Sequence, residues 1–134
     1  MMQNIEWFNS LNKPFLNPPS EIFMPVWIFL YITIGLSLFF FLKDGFNKSK
    51  IIPSIFFSTQ MLLNFIWSPI FFGMQNIRLG MIIIAFMWLF ILLTIINFYK
   101  HNKTSALLLI PYFLWVSFAC YLNFEFLRLN NLFQ

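Results

Sequence analysis

The feature that most constrains this chain is a set of four apolar runs, each long enough to cross a lipid bilayer. They cover residues 21–42, 52–72, 79–99 and 105–127, with short polar stretches between them. A helix needs about 20 apolar residues to cross the hydrocarbon core. Because backbone groups find no water there, each run is predicted to be a helix. Short connections favour antiparallel neighbours, so the sequence predicts an all-α integral membrane bundle with four transmembrane helices.

The composition also favours a membrane location. Hydrophobic residues make up 60% of the 134 residues and charged residues 9%, and the mean hydropathy is +0.80. A soluble domain contains about 45–50% apolar and about 25% charged residues. The length suits one domain, residues 1–134, in which residues 1–20 are predicted to lie outside the membrane. The sequence therefore indicates a multi-pass membrane protein, and it does not indicate which membrane holds it.

The polar residues exclude several classes of function. The net charge is +4, but the eight basic residues are scattered between apolar runs, whereas nucleic-acid binding needs them clustered. Nucleic acid is therefore not an expected partner. The single cysteine, Cys120, cannot form an intrachain disulfide, and the single histidine, His101, lies in a polar stretch beside two lysines. With four acidic residues in the chain, we expect no metal site and no catalytic acid–base residues.

Loop charges predict the orientation in the membrane. Stretches 43–50 and 99–105 carry five lysines and should share one side, whereas the other side carries Lys13, Arg78 and Arg128. The positive-inside rule then places the lysine-rich side in the cytoplasm. Within the runs, Pro69 and Pro111 predict bends. Glu125 and Arg128 lie three residues apart near the end of the last run, and we interpret them as a structural ion pair.

Aromatic and polar residues inside the runs form stripes on single helix faces. Asn64, Trp67, Ser68 and Phe71 have the i, i+3, i+4, i+7 spacing that places residues on one face. Such residues have two interpretations. Trp and Tyr form belts at membrane interfaces, and Asn and Ser join helices through bonds worth about 0.6 kcal/mol on average. Alternatively, flat rings with a few hydrogen-bonding groups are typical of a pocket for a flat apolar ligand.

We favour the pocket because lipid would not accept Asn64 and because packed helices prefer small residues to indoles. The stripes on the first and last runs include Trp27 with Tyr31, and Tyr112 with Trp115, Ala119 and Asn123. The predicted ligand-binding residues are Trp27, Tyr31, Asn64, Trp67, Trp88, Trp115 and Asn123.

Three motifs resemble a known family in their order and spacing. They are NKPFLNPPSEIFMPVWIFLY, LLNFIWSPIFFG and LLLIPYFLWVSFACYLNFEFLRLN. The sequence resembles the TspO/MBR family of tryptophan-rich sensory proteins and translocator proteins over about residues 6 to 130. The resemblance implies a membrane receptor or carrier whose inter-helix pocket binds porphyrin, haem or related flat apolar molecules, and in some members sterols or synthetic benzodiazepine-type drugs. By motif, its pocket positions fall on Trp27, Asn64, Trp67 and Trp115.

The resemblance carries further expectations. Porphyrin or haem is expected as a ligand, and no cofactor is expected. The lipid bilayer is an expected partner, and a homodimer is a further one. The family pattern has five spans, one of them before the KPxxxPP motif. Some 20 residues precede the first apolar run here, so we expect four spans, with the first of the pattern missing.

Two other functions remain open besides a sensory, regulatory or transporting receptor. One is an enzyme that degrades porphyrin under light, with Trp27 and Trp115 as redox-active rings. The other is a small four-helix drug exporter, which would need a carboxylate deep in its first span. Glu21 lies at the mouth of that span instead. A receptor or carrier is therefore the leading hypothesis, and enzymatic activity is left open.

Overall fold

The computed structural model describes residues 23–70 and 77–129. Its helices are α1 (Phe23–Leu42), α2 (Ile51–Ser68), α3 (Ile77–Tyr99), α4 (Lys103–Leu108) and α5 (Ile110–Leu129), and a 3-10 turn over Lys48–Lys50 leads into α2. These two stretches contain no strand. The all-α prediction is confirmed.

The apolar runs correspond to these helices. Within residues 23–70 and 77–129, three segments are long and apolar enough to cross a membrane: Met24–Leu42, Arg78–Tyr99 and Lys103–Arg128. The second predicted span corresponds to α2, whose 18 residues measure about 27 Å at 1.5 Å per residue. The end of that span at 71–72, the predicted outer segment 1–20 and Glu21 lie outside the described residues. The protein is thus an integral membrane helical bundle.

Both predicted proline bends coincide with irregular helix geometry. The backbone widens into a π turn at Pro69 and Ile70. The last apolar run is interrupted at Leu109, between α4 and α5 and two residues before Pro111. Proline has no N–H to donate to the carbonyl four residues earlier, and its ring crowds that carbonyl. The final span is therefore built from two helices.

The packing order of the helices differs from their order along the chain. α2 packs along α3, and α3 packs against α4 and α5. α1 packs against α4 and α5, and within the described residues it makes at most marginal backbone contact with α2. The prediction that short connections make packed neighbours is therefore wrong for the backbones of α1 and α2, which meet mainly through side chains. Eight residues, 43–50, can reach about 26 Å when extended, which is enough to pass a non-adjacent position.

Small hydroxyl residues hold α1 against α4. Ser37 Oγ donates to the backbone oxygen of Ser105 at 2.7 Å, and Ser105 Oγ donates to the backbone oxygen of Ser37 at 2.6 Å. Both residues are fully buried. Small side chains at a membrane helix contact let the backbones approach closely. This reciprocal pair explains why α1 selects a partner distant in sequence.

A stack of phenylalanines and a buried lysine close one end of the bundle. Phe98 stacks on Phe41 at 4.0 Å and on Phe57 at 5.7 Å between ring centroids. Lys50 Nζ donates to the backbone oxygens of Phe41 at 2.6 Å and Gly45 at 2.7 Å. Cations are favourable at a helix C-terminus, where carbonyls lack partners. Lys50 therefore caps the end of α1.

The two lysine-rich connections meet at this same end. Asn102 Nδ2 donates to the backbone oxygen of Phe40 at 3.2 Å, and the His101 ring lies edge-on to Phe41. The exposed basic residues nearby are Lys43, Lys48, Lys100 and Lys103. The expectation that both connections lie on one side is confirmed, whereas the compartment that this side faces stays a prediction.

The predicted ion pair near the end of α5 is confirmed. Arg128 Nε donates to Glu125 Oε2 at 3.1 Å, and the arginine side chain is exposed. The pair joins residues one turn apart on the same helix, so it contributes little beyond local charge neutralisation.

Candidate ligand-binding site

Aromatic contacts position the two candidates on α1. The buried Trp27 ring lies 5.7 Å from the Tyr31 ring and 6.4 Å from the Tyr112 ring of α5, the second contact being edge-on. The half-buried Tyr31 also stacks on the exposed Phe65 of α2 at 6.3 Å. These rings connect α1 to α2 and α5 across a space that the backbones of α1 and α2 do not close.

A chain of side-chain hydrogen bonds crosses the same space. Tyr31 Oη donates to Asn64 Oδ1 at 2.5 Å, and Asn64 Nδ2 donates to Tyr112 Oη at 2.8 Å. Tyr112 Oη in turn donates to Gln60 Oε1 at 2.7 Å. We refer to these four residues as the Tyr31–Gln60 chain. Asn64, Tyr112 and Gln60 are each at most 1% exposed. Buried polar groups in a membrane must find partners inside the protein, and this chain supplies them.

The chain ends on an unpaired group. Gln60 Nε2 is the one buried side-chain nitrogen or oxygen, among the described residues, without a hydrogen-bond partner. Leaving a buried donor unpaired costs about 1–3 kcal/mol. The other end of the chain, Tyr31, is half-buried. The chain therefore runs from a half-buried tyrosine to a spare donor in the interior.

Asn64 lies where the sequence stripe places it, one turn before Trp67 on α2. Its amide oxygen accepts from α1 and its amide nitrogen donates to α5, so both ends of the carboxamide contact protein groups. This is the bonding expected of a residue that joins helices, and a further contact with ligand stays a prediction. The remainder of the stripe, the Ser68 side chain and Phe71, lies outside the described residues.

The structure pairs two other candidates across α2 and α5. Trp67 Nε1 donates to Asn123 Oδ1 at 3.2 Å. Asn123 is 2% exposed, whereas Trp67 is half-buried. An indole has a single polar hydrogen, which this bond orients. Because Tyr112 and Asn123 both bond to α2, the predicted stripe on the last run does face that helix.

Trp88 stands apart from the other candidates. Its Nε1 donates to Ser117 Oγ at 2.8 Å, and its ring packs on Phe113 at 5.2 Å. These contacts lie between α3 and α5, and none joins Trp88 to the Tyr31–Gln60 chain among the described residues. Trp115 is half-buried on α5, with its ring 5.9 Å from Phe118. The structure thus brings together Trp27, Tyr31 and Asn64, pairs Trp67 with Asn123, and places Trp88 in a different helix contact.

Sequence reasoning missed two members of the cluster. Gln60 was not among the candidates, although it lies four residues before Asn64 and therefore on the same helix face. Tyr112 was noticed on its stripe but was not selected, because tyrosine near a helix end is also typical of an interfacial belt. A polar amide inside an apolar run was the available signal for Gln60.

The cluster offers neutral polar groups and flat rings. Its hydrogen-bonding atoms are phenol, carboxamide and indole groups, which can donate to or accept from a bound molecule. In the stretches that the structure describes, no group of three His, Cys, Asp or Glu residues could hold a metal ion. Chemically, the arrangement suits recognition of a flat apolar molecule that carries a few polar substituents.

Comparisons with known proteins agree with this architecture. The profile of the TspO/MBR family matches residues 1–129. The Tryptophan-rich protein TspO of Chlorobaculum tepidum is 43% identical over 125 residues, which cover 92% of this chain and 79% of that protein. The Tryptophan-rich sensory protein of Cereibacter sphaeroides is 33% identical, over 93% of this chain and 77% of the relative.

The similarity extends to animals. The Translocator protein of Homo sapiens is 29% identical over 131 residues, which cover 96% of this chain and 78% of that protein. Their names describe the Cereibacter sphaeroides relative as a sensory protein and the human relative as a translocator protein. Because the family profile covers almost the whole chain and the described helices form the bundle expected of it, this chain belongs to the TspO/MBR family.

Proposed function

We propose that this protein is a membrane receptor or carrier that binds porphyrin, haem or a related flat apolar molecule between α1, α2 and α5. The observation that carries the proposal is the convergence of Trp27, Tyr31 and Asn64 from two helices onto Tyr112 of a third. Rings held in fixed positions lose little freedom when a flat ligand stacks on them, so binding is favoured.

Recognition in this proposal rests on the ring and its polar substituents. His101 packs on Phe41, 14 residues along α1 from Trp27, which corresponds to about 21 Å of helix. That histidine is too far away to contact a ligand at Trp27. The proposal therefore assigns binding of metal-free protoporphyrin to stacking and to hydrogen bonds from Tyr31 or Asn64, without a bond from histidine to iron.

Quenching of tryptophan emission tests the proposal. Purified protein in detergent should show saturable quenching by protoporphyrin, with a dissociation constant in the micromolar range, equivalent to about −8 kcal/mol. Trp27→Phe should weaken binding severalfold because its ring contacts Tyr31 and Tyr112. Trp88→Phe is the matched control, since its indole is bonded at the α3–α5 contact, and its affinity should stay within about twofold of the wild type. Absence of saturable quenching at tens of micromolar would refute the proposal.

The contact between Trp27 and two tyrosines also keeps the enzymatic alternative in view. Adjacent aromatic rings suit redox chemistry with an illuminated porphyrin, and Trp115 was the second predicted participant. Bleaching of bound protoporphyrin under light and oxygen would be followed by absorbance. If the protein is an enzyme, Trp27→Phe and Trp115→Phe should slow bleaching even at porphyrin concentrations that saturate the variants. If it is a receptor or carrier alone, bleaching should match that of porphyrin in empty detergent.

A further inference from the structure

The hydrogen bonds of the Tyr31–Gln60 chain can run in two directions without moving the side chains, apart from the exchange of oxygen and nitrogen within each carboxamide. Rotating a carboxamide by 180° exchanges its oxygen and nitrogen with little change in shape, and a phenol hydrogen rotates freely. In the reversed chain, Gln60 Nε2 donates to Tyr112, Tyr112 donates to Asn64 Oδ1, and Asn64 Nδ2 donates to Tyr31. The hydroxyl of Tyr31 then points its hydrogen out of the chain.

Neither direction makes more hydrogen bonds than the other. Each direction contains three side-chain bonds and leaves one polar atom of Gln60 unpaired. In the direction seen in the structure the unpaired atom is Nε2, and in the reverse direction it is Oε1. A fourth bond made at Tyr31, the half-buried end of the chain, can therefore decide which of the two directions is preferred.

A ligand at Tyr31 supplies that fourth bond. A ligand that carries a donor can donate to Tyr31 Oη when the chain runs as in the structure, where Tyr31 gives its hydrogen to Asn64. A ligand that carries an acceptor, such as a carboxylate, needs the Tyr31 hydrogen and therefore needs the reversed chain. Gln60 permits both directions because its carboxamide can either accept a hydrogen bond from Tyr112 or donate one to it.

We propose that Gln60 is a positioning residue that sets which polar groups the site accepts, by letting the Tyr31–Gln60 chain reverse. This inference rests on the proposed function, because it needs the ligand to bind beside Tyr31. Gln60 does not touch the ligand. Gln60 is 1% exposed in the interior of the bundle and acts through Tyr112 and Asn64.

Replacing Gln60 by methionine, which has similar size and no amide, fixes the direction. Tyr112 then loses its amide acceptor and faces a thioether sulfur, which accepts only weakly, so its buried hydrogen is paired better by donating to Asn64, which is the reversed chain. Two probes are used: protoporphyrin, whose carboxylates are acceptors, and protoporphyrin amidated with ethylenediamine, whose ammonium groups are donors. Gln60→Met should change the ratio of the two dissociation constants by about tenfold in favour of the acceptor, or roughly 1.4 kcal/mol.

Two further variants separate this effect from loss of stability. Ser37→Ala removes another buried hydroxyl, at the α1–α4 contact, and should lower the melting temperature without moving the ratio. On a Tyr31→Phe background, Gln60→Met should no longer move the ratio, because the chain has no outward hydroxyl. An unchanged ratio in Gln60→Met with both porphyrins bound overturns the inference alone. Failure of the wild type to bind either porphyrin overturns the proposed function and the inference with it.

A measurement on unaltered Gln60 covers the case in which Gln60→Met does not fold. The chain has three other glutamines, Gln3, Gln75 and Gln134, which are changed to asparagine, and the protein is labelled with glutamine carrying ¹³C in the side-chain carbonyl. Infrared difference spectra should show the Gln60 carbonyl band moving to higher frequency with protoporphyrin, as Oε1 loses its bond to Tyr112. The donor porphyrin should leave the band in place. Equal shifts with both porphyrins, or no shift with either, overturn the inference.

Discussion

Asn64 contacts two other helices from a single side chain, so its replacement should weaken two helix contacts at once. Asn64→Ala removes the bonds to Tyr31 and Tyr112. Side-chain bonds between membrane helices average about 0.6 kcal/mol each, so the variant should lose about 1 kcal/mol of stability. If Asn64 also contacts the ligand, protoporphyrin affinity should fall by up to about tenfold as well. Thermal unfolding and tryptophan quenching on the same preparation measure both effects.

Asn97 provides a matched control for Asn64. Its Nδ2 donates to the backbone oxygen of Leu93 on its own helix, so Asn97→Ala breaks a hydrogen bond within one helix. Its melting temperature and its affinity should stay close to those of the wild type. A comparable loss of stability in both variants would mean that the bonds from Asn64 to other helices stabilise the protein no more than a bond within one helix. Unchanged affinity in Asn64→Ala would remove it from the proposed pocket.

At the scale of single residues, the sequence predicted which positions lie in the site better than it predicted which residues they contact. Spacing on a helix face led to Trp27, Tyr31 and Asn64, which the structure does bring together. It could not reveal that Trp88 bonds to Ser117 between α3 and α5, since a face does not specify its neighbour. Gln60 escaped because an amide in an apolar run is compatible with many partners, and its bond to Tyr112 joins residues 52 positions apart.

Lys50 matters at the scale of an element because it caps α1 from outside that helix. Lys50→Met keeps most of the length of the side chain but removes both bonds, to Phe41 and Gly45. Hydrogen bonds to charged groups are worth about 1.5–3 kcal/mol, so the variant should lose about 2 kcal/mol of stability. Thermal unfolding in detergent measures the loss.

Lys48→Met is the control for that cap. Lys48 belongs to the same 3-10 turn but is exposed, so its loss should change stability by less than about 0.5 kcal/mol. Equal effects of the two substitutions would show that the turn tolerates the loss of either charge and that α1 does not depend on Lys50.

Helix limits were predictable because lipid imposes them. The apolar runs end at polar stretches, and α1, α3 and the last span end within a few residues of those points. The division of the last span was foreseen in part, since Pro111 predicted a bend. That the bend separates two helices at Leu109 depends on backbone hydrogen bonds, such as the one from Leu109 to Ala106 at 3.1 Å, which periodicity does not specify.

The distribution of charge over the whole molecule predicts its orientation. We expect Lys48 and Lys103 to face the cytoplasm and Arg78, at the start of α3, to face the opposite side. Single cysteines at these positions, in a background with Cys120 changed to alanine, can be treated with a membrane-impermeant maleimide on intact cells. The Arg78→Cys variant should be labelled and the Lys48→Cys variant should not. The reverse pattern would invert the assignment.

The arrangement of the helices was the part of the fold that the sequence did not predict. Hydropathy specifies which segments enter the membrane but not which faces meet. The contact between α1 and α4 depends on the reciprocal bonds of Ser37 and Ser105. These two small residues are inconspicuous in an apolar sequence. Close approach of the two backbones depends on both serines together, so neither residue alone predicts it.

That arrangement has a consequence for how the protein is made. α1 leaves the ribosome well before its packing partners α4 and α5 exist, while α2 and α3 can pair as soon as both are inserted. α1 therefore lacks its main backbone contacts in the membrane until α4 and α5 have been inserted. A nascent chain arrested after α3 should remain sensitive to protease around α1, and resistance should appear when synthesis passes α5. In this protein, helices that are translated after α2 and α3 are the ones that secure α1.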